Sequence, residues 1–201
     1  EEIRTPLIVL QFYKGEWLRA QNIWRRWMFA HNFPKDHGKP LAPKVGAASV
    51  QYYGFVCNQA GDFEFIKQFL DKGIRLDYWW MDAGWYRCDG QWPKTGTWEV
   101  DTNRFPGGLR PISDHARAKG VKTIVWFEPE RVHSGTWLTE NHPEWILGSK
   151  NGGLLNLGNP EVRQWLTAHA DKLTTEPRLD LSPQDFNIDP RRFRPQNDAA
   201  D

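Results

Sequence analysis

Short apolar runs alternate with helix-like segments along most of this 201-residue chain, and this alternation limits the folds it can adopt. The helix-like segments carry end signals: Gly73 and Gly120 follow two of them, and Asn159-Pro160-Glu161 begins a third. Strands that alternate with helices of this length form parallel sheets with right-handed crossovers. The predicted strands are 50–56, 76–81, 121–127 and 178–186, and the predicted helices begin at an Asp62 cap, near Leu109 and at Asn159.

Four such units predict an α/β fold of the (β/α)8 TIM-barrel type, incomplete in this chain because a whole barrel has about 250 residues. An open doubly wound sheet is the alternative. The polar residues at the predicted strand ends favour the barrel, since carboxylates at the carboxyl ends of successive parallel strands form a catalytic mouth. These residues are Asn58, Asp82, Glu128, Glu130 and Asp185. Neither a Gly-x-Gly-x-x-Gly nor a Walker pattern follows a predicted strand, so nucleotide binding has no support.

The first 45 residues differ in pattern from the rest. Residues 5–13 read as a strand, and residues 16–32 have helical spacing with Trp17 and Trp24 on one stripe. Residues 34–43 hold three prolines and one glycine among charged residues, which predicts a linker or an extended loop. We therefore place a domain boundary near residue 45.

Charge and hydropathy exclude several classes of protein. The 26 basic and 25 acidic residues leave a net charge of +1, so the charge balance points neither to nucleic acid nor to an anionic membrane. No apolar run approaches the ~20 residues of a spanning helix, and no signal-peptide pattern follows Glu1. We expect a cytoplasmic location.

The sequence predicts neither a metal nor a cofactor. The six histidines show neither His-x-His nor His-Glu-x-x-His spacing, and two cysteines are too few for a disulfide scaffold. Cys57 and Cys88 read as reduced thiols, with a disulfide between them as the alternative.

Twelve tryptophans are the unusual feature of the composition, because flat indole faces are surfaces on which sugar rings stack. In residues 78–86, Asp82 could accept hydrogen bonds from sugar hydroxyls while Trp80 or Trp85 covers the ring. The alternative makes Asp82 a helix or turn cap and the tryptophans part of the core.

Two further segments place acids after predicted strands. Pro129 restricts Glu128 to extended geometry, so Glu128 and Glu130 can point differently: one would line the cleft while the other pairs with Arg131. A structural ion pair is the alternative for either acid. Asp185 and Asn187 lie two residues apart and face the same side, which suits a nucleophile and an orienting amide; an Asx turn is the alternative.

Taken together, these motifs resemble glycoside hydrolase family 36, the bacterial-type α-galactosidases, over nearly the whole chain. Residues 22–27 look like the segment between that family's N-terminal β-sandwich and its barrel. The other matching segments are Trp80-Met-Asp-Ala-Gly-Trp85, Trp126-Phe-Glu-Pro-Glu130, Leu157-Gly-Asn-Pro160 and Gln184-Asp-Phe-Asn187. The resemblance implies that residues 1–45 are the end of a preceding β-sandwich domain with a linker helix, and residues 46–201 the N-terminal half of the catalytic barrel.

The resemblance also implies a retaining hydrolysis of terminal α-D-galactosides in raffinose-type oligosaccharides or galactomannan. Asp185 would form the covalent galactosyl-enzyme intermediate, with a second acid about 5–5.5 Å away. Asp82 would bind the galactose hydroxyls and Asn187 would stay close to the nucleophile. The expected substrate-binding residues are Asp82, Trp85, Trp126, Glu128 and Asn187. An oligosaccharide is thus the expected partner, and a homo-oligomer is left open for the full-length protein.

Three departures from the family pattern affect this interpretation. Ala83 stands where the family has a second acid, and Pro183 stands where it has a lysine, so the strand before Asp185 should be locally irregular. The family's acid/base aspartate belongs to a glycine-rich motif beyond the nucleophile, and we expect it outside this chain. A non-catalytic carbohydrate-binding fragment and a related α-N-acetylgalactosaminidase are the competing interpretations.

Overall fold

The computed structural model describes residues 5, 7–48, 54–88, 94–180 and 184–193. The chain divides into two compact units, Glu1–Pro43 and Lys44–Asp201. Within the described residues, no helix is both long enough and apolar enough to cross a bilayer.

The first unit contains one helix and one small hairpin. Helix α1 spans Trp17–His31, in agreement with the helical spacing of its sequence. Strands β1 (Lys35–Asp36) and β2 (Lys39–Pro40) pair antiparallel within the segment expected to be a linker. His37 and Gly38 both have positive φ, as a tight two-residue hairpin turn requires.

The strand predicted over residues 5–13 is wrong for the residues described. The described residues of this segment belong to no paired strand, and apolar side chains such as those of Leu7 and Phe12 are exposed. A strand is stabilised by a pairing partner, and the described part of this unit pairs only β1 with β2. Apolar content alone therefore gave the wrong prediction.

The second unit is built on a parallel sheet with the order β3–β4–β5, where β3 is Gly46–Ala48, β4 is Tyr78–Met81 and β5 is Lys122–Val125. Tyr78 pairs with Gly46 on one side and with Lys122 on the other. Helices α2 (Gln59–Asp71) and α3 (Arg110–Arg117) connect these strands, so the predicted alternation and the parallel sheet are confirmed.

Two predicted strands differ from the structure. The first strand lies at Gly46–Ala48, while Gly54–Val56 of the predicted run forms a 3-10 turn and residues 49–53 lie outside the described residues. For the predicted strand 178–186, the described residues contain an isolated parallel bridge between Phe127 and Gln184. Residues 181–183, including the Pro183 departure, lie outside the described residues.

The helix ends were predictable except for one cap. The backbone N–H of Gly61 donates to Asn58 at 2.9 Å, so Asn58, and not Asp62, caps α2; Asp62 lies buried in the first turn. Asn58 was expected at the catalytic mouth, and this capping bond gives it a local structural role instead. Gly73 and Gly120 have positive φ after their helices, as predicted.

A second sheet, which the sequence analysis missed, follows β5. Strands β6 (Arg131–His133), β7 (Ile146–Leu147) and β8 (Gly152–Leu155) form an antiparallel sheet in the order β6–β8–β7. The short helix α4 (Trp137–Asn141) lies between β6 and β7, and α5 (Pro160–Thr175) follows β8 with Asn159 as its cap. This sheet occupies the connection that carries Glu128 and Glu130 away from β5.

Candidate functional site

Asp185 lies beside the carboxyl end of β5 and is held by four hydrogen bonds. Its backbone N–H donates to the carbonyl oxygen of Phe127 at 2.8 Å. Its Oδ2 accepts from the indole Nε1 of Trp126 at 3.1 Å and from the amide Nδ2 of Asn187, and its Oδ1 accepts from the N–H of Phe186 at 2.9 Å. The carboxylate therefore has a fixed orientation next to the parallel sheet.

These contacts keep Asp185 ionised. The Trp126 N–H first, and then the Asn187 amide, stabilise the charged form and hold the pKa of Asp185 below its usual range. An ionised carboxylate on a half-exposed side chain is the form that can attack an electrophilic carbon. The structure brings together Asp185, Trp126 and Asn187, three residues that were expected in one site.

A buried ion pair anchors the backbone that follows Asp185. The Oε1 of Glu128 accepts from the Nε of Arg131 at 3.1 Å and from the backbone N–H of Asn187 at 2.6 Å. The guanidinium of Arg131 also donates to the carbonyl oxygen of Asn187. Both backbone groups of Asn187 are thus bound by one pair of side chains, which fixes the position from which its amide reaches Asp185.

This arrangement gives Glu128 a structural role beside the one expected for it. Its side chain is 0% exposed and its Oε1 is paired with Arg131, whereas its Oε2 has no hydrogen-bond partner among the described residues. The alternative in the sequence analysis, a structural ion pair, describes Glu128. Breaking such a pair is costly because the remaining charge stays in a poorly solvated site.

Glu130 differs from Glu128 although Pro129 alone separates them. Its side chain is partly exposed, and its Oε2 has no hydrogen-bond partner in the part of the chain that the structure describes. Burial first, and then the charge of Glu128, raise the pKa of Glu130. The two acids therefore diverge, as the intervening proline suggested.

Asp82 follows β4 and is partly exposed, as a ligand-binding carboxylate should be. Its Oδ1 accepts from the backbone N–H of Ala83 at 2.7 Å. Gly84, two residues later, has a φ of +110°, and a Cβ there would lie 2.9 Å from the Cα of Phe55. A glycine is therefore required for the turn that follows Asp82.

Trp85 lies in the core instead of on a ligand-facing surface. Its side chain is 1% exposed, and its Nε1 donates to the carbonyl oxygen of Trp126 at 2.9 Å. Trp126 is also buried, with 4% of the residue exposed. The part of Trp126 that the site uses is therefore its indole N–H, and Trp85 supports this residue from behind.

Sequence reasoning missed two aromatic residues behind the nucleophile. Trp98 contacts Trp126 and Phe127 with ring centroids 5.6 Å and 4.6 Å apart, and Tyr86 contacts Trp98 at 5.1 Å. Trp98 has a φ of +59°, an uncommon conformation for a bulky residue. The sequence signal for this loop was Gly96, two residues before Trp98 in a segment that contains several tryptophans. The contact between Trp98 and Trp126 could not be predicted, because the two residues are far apart in the sequence.

The structure gathers no group of three or more histidine, cysteine or acidic side chains that could hold a metal ion, within the residues it describes. Cys57 and Cys88 are free, buried thiols. Burial, followed by the charge of Asp62, raises the pKa of Cys57 to about 12, so this thiol is a core residue and not a nucleophile.

The melibiase family profile matches residues 19–189. α-Galactosidase C of Emericella nidulans is 30% identical over 192 residues, which are 83% of this chain and 24% of that protein. An α-galactosidase of Lactobacillus acidophilus is 29% identical over 133 residues, which are 61% of this chain and 18% of that protein. The chain thus spans about a fifth to a quarter of the length of these relatives.

Solved structures agree at the level of the fold. A variant of the family 36 α-galactosidase AgaA from Geobacillus stearothermophilus, in complex with stachyose, has a TM-score of 0.67 and 16% identity, covering 79% of this chain and 23% of that chain. TtGalA, an α-galactosidase of Thermus thermophilus in complex with stachyose, has a TM-score of 0.61 and 21% identity, covering 79% of this chain and 35% of that chain. With the family profile running from within α1 to beyond Asp185 and Asn187, the chain belongs to the melibiase family.

Proposed function

We propose that this chain carries the nucleophile half of a retaining α-galactosidase, with Asp185 as the nucleophile. The observation that carries the proposal is the carboxylate of Asp185, which lies beside the carboxyl end of a parallel strand and is kept ionised by Trp126 and Asn187. Active sites of parallel β/α folds lie at this end of the sheet. The names of the relatives support the same activity.

In the proposed reaction, a carboxylate oxygen of Asp185 attacks the anomeric carbon of a terminal α-galactoside. A bond forms between that oxygen and the anomeric carbon while the bond to the leaving oxygen breaks, and the leaving oxygen takes a proton from an acid. Water then gives its proton to the residue that had acted as the acid and attacks the anomeric carbon, whose bond to Asp185 breaks, so that galactose is released and both groups are restored. We assign the proton donor to none of the described residues, since the resemblance places it after the nucleophile strand.

The other residues hold the nucleophile or the sugar. Trp126 and Asn187 orient the carboxylate of Asp185, and Glu128 with Arg131 positions Asn187. We propose that Asp82 binds galactose hydroxyls. Because Ala83 replaces the second acid of the family pattern, this chain makes fewer charged contacts to the sugar, which relaxes the choice of hydroxyl configuration.

For the architecture, we propose that residues 46–201 are the N-terminal half of a (β/α)8 barrel and that residues 1–45 lead into it from a preceding β-sandwich domain. The parallel order β3–β4–β5, with Gln184 bridged next to β5, supports four consecutive barrel strands. Terminal α-galactosides of raffinose-type oligosaccharides are the proposed substrates, because AgaA and TtGalA have been solved with raffinose or stachyose.

Covalent labelling of this chain tests the nucleophile directly. The reagent is an activated 2-deoxy-2-fluoro-α-galactoside, whose aryl leaving group needs little protonation and whose fluorine slows hydrolysis of the ester. Intact mass spectrometry should show a gain of one fluorosugar, and peptide mapping should assign it to Asp185. The matched control is Asp189→Asn, which changes an exposed acid four residues away and should label like the wild type.

Two results decide between catalysis and simple binding. Labelling that disappears in Asp185→Asn, in protein whose circular dichroism is unchanged, supports the nucleophile. A folded wild-type chain that binds galactosides but takes no label would reject covalent chemistry and favour the carbohydrate-binding alternative.

A further inference from the structure

A cavity of about 450 Å³ lies between two connections of the second unit, those after β4 and after β5. Sites for small molecules usually have volumes of about 300–1,000 Å³. Both connections leave the carboxyl ends of parallel strands, so the cavity belongs to the same side of the sheet as Asp185.

Trp137 lines this cavity and is backed by a stack of rings. Trp137, which is 39% exposed, stacks on Trp165 with ring centroids 6.0 Å apart and an angle of 13° between the planes. Trp165 stacks in turn on His169 at 5.0 Å and 9°. The backbone N–H of Trp137 donates to the Oγ1 of Thr97 at 3.1 Å, which joins the two connections. Trp137 is therefore held in place before any ligand arrives.

The polar wall carries both signs of charge. Arg87 and Lys94 line the cavity together with Glu99 and Glu140. Neither carboxylate has a hydrogen-bond or ion-pair partner among the described residues, so both can accept hydrogen bonds from a ligand. Because the two cations are balanced by two acids, the cavity does not favour a phosphate or another anion. A lipid is also disfavoured, because its acyl chain would contact charged side chains. A neutral ligand with many hydroxyls and an apolar ring face fits this lining.

The cavity shares a wall with the nucleophile site. Trp98 lines the cavity and contacts Trp126, whose indole N–H binds Asp185. We propose that this cavity is a second carbohydrate site, which takes non-terminal sugar units of a neutral oligosaccharide with Trp137 as its stacking platform and Glu140 as a hydroxyl acceptor. The choice of ligand rests on the proposed function, whereas the cavity is defined by the residues that line it.

Binding of a length series tests the proposal. Galactose, raffinose and stachyose are titrated into the intact chain and followed by isothermal calorimetry. We expect stachyose to bind more tightly than galactose, and Trp137→Ala to weaken stachyose binding by about tenfold through loss of the aromatic contact, with galactose binding unchanged. Glu140→Gln, at an exposed position, should weaken stachyose binding about threefold or more without touching the ring stack.

The matched control is Trp24→Ala, because Trp24 is 40% exposed and lies in the first unit. This variant should bind stachyose like the wild type. Stachyose binding that is unchanged in both Trp137→Ala and Glu140→Gln would overturn the proposal.

Labelling of Asp185 keeps this result separate from the proposed function. Stachyose binding that depends on Trp137, in a chain that takes no fluorosugar label, would reject the nucleophile and leave the second site supported. Normal labelling with stachyose no tighter than galactose would reject the second site and leave the nucleophile supported.

Discussion

Trp126 contributes to the proposed chemistry through one N–H group. Trp126→Phe removes the donor that lies 3.1 Å from Asp185 while keeping an aromatic ring in the core. An ordinary aspartate has a pKa of about 3.9, and the pKa of Asp185 is lower. Asp185 is therefore still ionised at about pH 3.9, and the labelling rate should stay constant as the pH falls to that value. In Trp126→Phe the pKa of Asp185 should rise, and the acid limb of the labelling rate should move to higher pH.

Trp98→Phe is the control for that experiment, since Trp98 touches Trp126 but its Nε1 has no hydrogen-bond partner in the described part of the chain. Its pH profile should match the wild type. If the acid limb of the labelling rate shifts equally in both variants, the shift is caused by altered packing of the aromatic residues and not by loss of the N–H of Trp126.

The charge of Glu128 supports the loop that holds Asn187. Glu128→Gln keeps the shape of the side chain but removes the negative charge that is paired with the buried guanidinium of Arg131. Removing one partner of a buried pair costs about 3–5 kcal/mol, so the free energy of unfolding in urea should fall by about that amount. Glu144→Gln, which affects an exposed pair with His142, should change it by less than about 1 kcal/mol. Equal effects would contradict the positioning role of Glu128.

At the scale of elements, the turn after β4 depends on a glycine. Gly84→Ala forces a Cβ to within 2.9 Å of the Cα of Phe55 at a φ of +110°, so we expect a loss of about 2–4 kcal/mol in urea unfolding. Gly73→Ala has a similar backbone strain, with a φ of +72°, but meets nothing within 4 Å, and should lose about 1 kcal/mol. If the two variants lose the same amount, the close approach of residues 55 and 84 plays no part.

The elements that were predictable have strong local signals. Asn159-Pro160 begins α5, and Gly73 and Gly120 end the helices before them, because caps depend on the nearest few residues. The strand predicted over 5–13 failed because pairing depends on distant residues, and the antiparallel sheet of β6, β7 and β8 was missed for the same reason. Two of its strands have three residues or fewer, too short for periodicity to register.

At the scale of the whole molecule, the position of the site residues was easier to predict from the sequence than the role of each residue. The carboxyl ends of parallel strands must converge, so Asp82, Trp126 and Asp185 could be placed at one edge from their strands alone. Their exposure depends on packing from other segments. Trp85 and Glu128 were expected to face a sugar, but both are buried. Trp85 packs against Trp98 and Glu128 pairs with Arg131, and neither contact could be predicted from the sequence.

Three partly buried histidines link the stability of the whole molecule to pH. Burial lowers the pKa of His115, His133 and His169, so the folded chain resists protonation that the unfolded chain accepts near pH 6.5. Below that pH the unfolded state binds more protons, and the free energy of unfolding should therefore fall as pH decreases from about 6.5 towards the lowered pKa values. Urea titrations at several pH values measure this fall. In His133→Asn the free energy of unfolding should fall less steeply with decreasing pH. In His37→Asn, where the side chain is 96% exposed, the fall should match the wild type. Identical slopes in both variants would show that His133 does not contribute to the pH dependence.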